Sequence, residues 1–237
     1  MSRFFFGLLF AFMCSAQNLT VISACCESFP QLQFVLGTPA QSVTLSYGFV
    51  STQLALAAGS NPLQVGLPTT GVGTPPPPLY TSSIMLSAGS DYTMAFYGPF
   101  TGGSYQVIGP ALNMTMGDNT NTKLRMRFLL VAPYVEQGNP TIHLQALCPS
   151  VGATPIFDIT GVYQDFSPAA PNYVEKVQAS LQDNCQLRVV KIDPISGATV
   201  PLIQKTFFLS VGNNYTVVAV GQDSSTADEK LIVDSHL

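Results

Sequence analysis

Leu86-Ser87-Ala88-Gly89-Ser90-Asp91-Tyr92-Thr93 and Leu209-Ser210-Val211-Gly212-Asn213-Asn214-Tyr215-Thr216 are one motif written twice. Each copy runs on through a mostly apolar stretch to a glycine, Gly98 in the first and Gly221 in the second. In physical terms a strand ends, a glycine takes the turn, and a new strand opens with tyrosine. This is the pattern of a tyrosine corner, in which the ring is buried and the hydroxyl reaches back to upstream backbone. Gly89 and Gly212 fall where the chain needs a positive φ, which glycine adopts without a Cβ clash. Tyr92 and Tyr215 are therefore read as structural. The motif predicts an all-β, immunoglobulin-like antiparallel β-sandwich, and its recurrence predicts two in tandem.

The repeat extends outward from the motif. Leu63-Gln64-Val65 matches Leu187-Arg188-Val189, Tyr47 matches Tyr163, and Leu32-Gln33-Phe34 matches Ile142-His143-Leu144. The offset grows from 108 at Ala24/Ala132 to 123 at Tyr92/Tyr215, as a duplication with a few loop insertions gives. Short apolar segments with period-two alternation recur about every ten residues between Gly, Pro, Asn and Ser. They include Ala111–Met116 and Lys205–Leu209, and only Val174–Leu181 carries a helix-like pattern. The expected organisation is a signal peptide over 1–16, a first sandwich over 17–117, a polar linker over 118–123 and a second sandwich over 124–237.

Composition points to export. Only 9% of the 237 residues are charged and the net charge is −4, so no basic footprint for nucleic acid exists. Arg3 precedes the apolar run Phe4 to Met13, which is too short to span a bilayer and suits a signal-peptide core. Cys14-Ser15-Ala16 places small residues before a cleavage point after Ala16. Residues 228–234 are polar and lack the hydrophobic tail of a lipid-anchor signal. The mature chain is thus expected to be secreted, without a membrane span.

Cleavage leaves Cys25, Cys26, Cys148 and Cys185 as disulfide candidates, an even number with three connectivities. Cys148 and Cys185 share the second repeat and are the first choice of bridge. The adjacent Cys25-Cys26 pair is open to three readings: a vicinal disulfide, a crossing pair with the other two, or a bond to another chain. Sequons at Asn18, Asn113 and Asn214 mark glycosylation candidates.

The runs Val21-Ile22-Ser23-Ala24, Pro30 to Gly37, Leu45-Ser46-Tyr47-Gly48 and Tyr215-Thr216-Val217-Val218-Ala219-Val220-Gly221 together resemble a known repeat. The chain looks like a tandem pair of the exported family catalogued as domain of unknown function 4397. A fibronectin type III-like pair is the second choice, against which the absence of tryptophan counts. The resemblance implies fold and compartment but no activity. Gln33 and His143 stand where members of that family often carry an acid, and Cys25-Cys26 replaces a small-residue turn.

No Gly-x-Ser-x-Gly elbow, His-Glu-x-x-His helix, phosphate loop or calcium loop is present, and no cofactor or metal is expected. Asp158, Asp165 and Glu175 are the acids that glycoside chemistry would draw on. Pro75–Pro78 read as a stiff polyproline II loop. The expected function is a secreted, non-enzymatic binding or structural module of the cell surface or matrix. Its expected partner is an extracellular protein or glycan, with self-association as a further option. The alternatives are a carbohydrate-active enzyme and a disulfide-linked filament subunit.

Overall fold

The computed structural model describes residues 17–25, 29, 31–69, 76–98, 104–113, 122–131, 141–178, 180–193, 195–222 and 225–236. The expected signal peptide, Cys26 and linker residues 118–121 lie outside the described residues.

The first repeat forms β1 (Gln17–Ser23), β2 (Leu32–Leu36), β3 (Gln41–Leu45), β4 (Phe49–Val50), β5 (Leu54–Leu56), β6 (Gly59–Gly66), β7 (Tyr80–Leu86), β8 (Asp91–Tyr97) and β9 (Gln106–Leu112). The second forms β10 (Lys123–Val131), β11 (Thr141–Leu147), β12 (Phe157–Thr160), β13 (Phe166–Ser167), β14 (Val174–Val177), β15 (Gln182–Ile192), β16 (Thr199–Ser210), β17 (Asn214–Gln222) and β18 (Ser225–His236). Both repeats have one topology. A sheet in the order β3-β2-β6-β7 faces a sheet β4-β1-β8-β9, on which β5 also pairs with β1. Their counterparts are β12-β11-β15-β16 and β13-β10-β17-β18, with β14 also on β10. The chain is thus two all-β, immunoglobulin-like sandwiches.

Three features depart from the sequence reading. Pairing between these strands is antiparallel except that β1 runs parallel to β8, and β10 parallel to β17; an isolated bridge from Leu130 to Tyr163 is also parallel. Each tyrosine corner brings the chain into its sheet at the end where β1 or β10 starts, as the register Asn18 to Asp91 and Arg125 to Asn214 shows. The helix-like Val174–Leu181 begins with strand β14, because pairing of Val174–Val177 with Lys123–Met126 overrides local pattern. The strand expected over Ala111–Met116 begins earlier, as β9 over Gln106–Leu112, set by antiparallel pairing of Gln106 with Tyr97 and Leu112 with Tyr92, and residues 114–116 lie outside the described residues.

Alternation along each strand sends one face into a sandwich core. Leu19, Val21, Phe34, Leu63, Met94 and Phe96 meet in the first repeat. Met126, Phe128, Leu144, Leu187, Tyr215 and Val217 meet in the second. The other faces of β1, β8, β10 and β17 are buried too. Ile22, Ala95 and Tyr97 pack with Leu129, Val131, Val218 and Val220 in a third core that joins the repeats. The molecule is therefore a stack of four sheets, with β4-β1-β8-β9 against β13-β10-β17-β18 in the middle. Strands buried on both faces read as continuous apolar runs. Phe128-Leu129-Leu130-Val131 and Val217-Val218-Ala219-Val220 are such runs.

Candidate functional site

Both tyrosine corners close the same way. The Tyr92 hydroxyl accepts a 2.9 Å hydrogen bond from the Ser87 N–H, and the Tyr215 hydroxyl accepts one of 2.9 Å from Ser210. Gly89 and Gly212 take φ of +71° and +88°. The two tyrosines are buried in the sandwich cores, and the glycines take the turn that carries the chain from one sheet to the other.

Cys148 and Cys185 form a disulfide. Both are fully buried in the second core, and the bond ties the end of β11 to β15 within one sheet. Closing a loop of this size contributes on the order of 3–4 kcal/mol. The bond leaves no partner there for a crossing pair with Cys25. The Cys25 thiol is buried and donates to the Gly98 carbonyl, so it faces inward rather than toward another chain.

Of the three sequon asparagines, Asn113 and Asn214 are buried and Asn18 is partly exposed. Asn113 is 2% exposed and its Oδ1 accepts from Thr93 at 3.1 Å and from Arg127. Asn214 is 5% exposed at the start of β17. Asn18 is half-buried and its amide donates to Asp91 at 2.9 Å.

Around Asn113 lies a polar cluster that joins the repeats. The fully buried Arg127 donates to Thr216 Oγ1 and to the Leu112 carbonyl, both at 2.9 Å, and to Asn113 Oδ1. Its guanidinium stands over the rings of Phe166 and Tyr173, at 4.7 and 4.8 Å from their centroids. Burial pulls Arg127 below its ordinary value, against the opposing pull of Tyr173 and Asp234. Asp234 of β18, bonded to Thr93 of β8 at 3.4 Å, is pushed up to about 6 by burial, with Thr93 and Arg127 opposing. Lys230 completes the junction from β18, standing 4.3 Å over the ring of Tyr47. The cluster holds the sheets together around the buried Arg127, Asn113, Thr93 and Thr216, with Tyr173 and Asp234 partly buried and Lys230 exposed at its edge.

The outward-facing site is a groove of about 440 Å³ on the second repeat. It runs beside β12, with Asp158, Ile159 and Thr160 on one wall and Asp165–Ala169 with Val174 on the other, and Val162 at the turn. β12 is the last strand of its sheet. Gly161 lets the chain leave β12 close over the Phe128 ring, since a Cβ there would lie 2.6 Å from the ring edge. The Asp158 carboxylate is fixed from the sheet face by His143 Nδ1 at 2.6 Å and by Gln145 Nε2 at 3.1 Å. Arg188 Nε in turn donates to Gln145 Oε1 at 3.0 Å.

Of the three acids named for glycoside chemistry, Asp158 and Asp165 line this groove and Glu175 does not. Glu175 is held below the usual carboxylate range by hydrogen bonds from Arg125 and Lys123. A second groove of about 300 Å³ lies on the first repeat, where Pro76–Pro78 fold beside Gln33, Val35 and Gln64. Sequence reasoning missed the ladder His143-Asp158-Gln145-Arg188. Its signal was present, because period two places His143 and Gln145 on one face of β11. Among the described residues no three His, Cys, Asp or Glu side chains are placed to hold a metal ion. None of the helices there is long and apolar enough to cross a membrane, since none is present.

The geometry defines a class, a tandem immunoglobulin-like β-sandwich protein with an open groove on its second repeat. No family model matches the chain, and no curated protein matches it. Among solved structures it is similar to the Bacillus anthracis TIE protein, at 12% identity and a TM-score of 0.26, over 88% of this chain and 34% of that one. It is also similar to CBMbc, a family CBM26 module from Eubacterium rectale Amy13K solved with maltoheptaose, at 11% identity and a TM-score of 0.26, over 93% of this chain and 97% of that one. A leucine-rich repeat protein from Bacteroides thetaiotaomicron matches at 9% identity and a TM-score of 0.21, over 84% of this chain and 25% of that one. The chain thus spans about a third and a quarter of the first and third of these. Likenesses at this level carry no argument about function.

Proposed function

We propose that the chain is an exported, non-enzymatic binding module of the cell surface or extracellular matrix, with its binding site in the groove beside β12. The observation that carries this reading is the groove itself. A strand edge, exposed apolar Val162 and two carboxylates converge on one opening. The ladder from His143 to Arg188 fixes the side chain at the rim, so part of the site is pre-formed before a ligand arrives. The buried Cys148–Cys185 bond supports the oxidising compartment that export implies. The partner is an extracellular protein or glycan.

The test replaces Val162, which is 55% exposed, with a photoreactive benzoylphenylalanine, and makes the same change at the fully exposed Ile195 as a control. Illumination with the surface and matrix fraction of the source cells should attach one species at position 162 and not at 195. Equal capture at both positions, or none at 162, would overturn the assignment. A carbohydrate-active enzyme is the second reading, drawn from Asp158 and Asp165 sharing the groove. It requires glycoside cleavage by the native protein that Asp158→Asn or Asp165→Asn abolishes.

A further inference from the structure

The hydrogen-bond phase of β12 decides which of its backbone groups face outward. Thr160 lies opposite His143, and Asp158 opposite Gln145. The Gly161 N–H bonds to the Ile142 carbonyl at 2.8 Å, which makes Gly161/Ile142 a hydrogen-bonded pair. Antiparallel ladders alternate hydrogen-bonded and non-hydrogen-bonded pairs, so Thr160/His143 and Asp158/Gln145 are of the second kind. The N–H and C=O groups of Asp158 and Thr160 therefore point away from β11 and into the groove. Among the described residues nothing pairs with that edge. Beyond it the Val162 N–H is already taken by Ser167 Oγ at 3.2 Å, so the open edge ends there.

The rest of the groove matches an extended chain laid on this edge. Ile159, Val162, Phe166, Pro168, Ala169 and Val174 supply an apolar lining. Asp158 and Asp165 are the ionisable groups in the wall, and no lysine or arginine lines it. In the first repeat the counterpart of β12 is β3, and there the Gln41 amide donates to the Ala55 carbonyl of β5, tying that edge across the same opening. The second repeat has no such tie among the described residues, and its opening is the groove.

We propose that the groove binds an extended segment of an extracellular partner protein by adding it as a strand to the edge of β12, and that the segment alternates apolar and basic side chains. Main-chain bonds to Asp158 and Thr160 would supply affinity, and the apolar lining and two carboxylates would supply selectivity. This rests on the reading of the groove as the binding site.

The probes are blocked hexapeptides of alternating valine and lysine, the same peptides with glutamate for lysine, and versions N-methylated at alternate residues. Each is titrated against the intact protein while the amide NMR signals of Asp158 and Thr160 are followed. The valine-lysine peptide should shift both signals saturably. One of the two alternate N-methylation patterns should weaken binding at least tenfold and the other should leave it unchanged. The glutamate peptide should bind at least tenfold more weakly. Thr160→Pro should weaken the unmethylated peptide at least tenfold and Thr160→Ala should not, since the Thr160 N–H faces away from the ladder and an edge strand tolerates proline there. The N-methylated peptides read the same bonds with the protein unchanged, so the result stands even if Thr160→Pro misfolds. Binding that Val162→Arg blocks but neither N-methylation pattern weakens would overturn strand addition and leave the groove as a site. Saturation by a neutral oligosaccharide at these residues, without response to peptide, would do the same. No saturable peptide binding up to millimolar concentration would overturn the inference, while capture at position 162 separately decides the groove.

Discussion

At the scale of single residues, Asp234 carries the clearest consequence. Its carboxyl titrates at about 6 in the folded protein, pushed up by burial from an unfolded value near 4. The folded state therefore holds this proton more tightly than the unfolded state. Stability from this group is complete below about pH 4 and falls as pH rises through about 6, by up to about 3 kcal/mol. Chemical denaturation of wild type and Asp234→Asn across that range checks it: the variant should lose this part of the slope. The tyrosine corners give a second prediction. Tyr92→Phe removes the acceptor of the Ser87 N–H and should cost about 0.5–1.5 kcal/mol, as should Tyr215→Phe at Ser210. The third concerns the sequons. Intact-mass measurement of secreted protein should find Asn113 and Asn214 unmodified, since both amides are inside the stack. The corners were legible in the sequence because their chemistry is local, a glycine and a tyrosine at fixed spacing. The burial of Asn113 was not, because its partners Thr93 and Arg127 are 20 and 14 residues away on other strands.

At the scale of strands, β1, β8, β10 and β17 matter most, since each serves two cores. Arg127 of β10 is their polar link: it donates to Leu112 and Asn113 of the first repeat and to Thr216 of the second. Arg127→Ala should cost about 3–5 kcal/mol, because it leaves Asp234 and those acceptors buried without their cation. Urea unfolding should further resolve into two transitions where wild type has one. The strands themselves could be read from alternation and turn residues, and β2 falls at Leu32–Leu36 as its pattern suggests. Their second buried face could have been read as well. Phe128-Leu129-Leu130-Val131 shows no alternation, and an apolar run of that kind marks a strand covered on both sides. The phase of β12 could not be read, since it depends on which residue of β11 stands opposite Thr160.

At the scale of the whole molecule, the two sandwiches are fused back to back. The sheets β3-β2-β6-β7 and β12-β11-β15-β16 are left as the outer layers, and the groove beside β12 opens at the flank of the second sandwich. A pair of sandwiches on a flexible tether would let the groove wander relative to the first repeat; a shared core fixes it. The sequence repeat announced the duplication but not its docking, because the contacts that dock the copies are spread over four strands distant in sequence. The measurement that tests this most directly is native-state hydrogen exchange of the intact protein. Amides of β8 and β17 should be protected to the same free energy, that of global unfolding, because their outer faces share one core. Exchange of one repeat through its own opening, at a free energy well below that of the other, would contradict the fused stack.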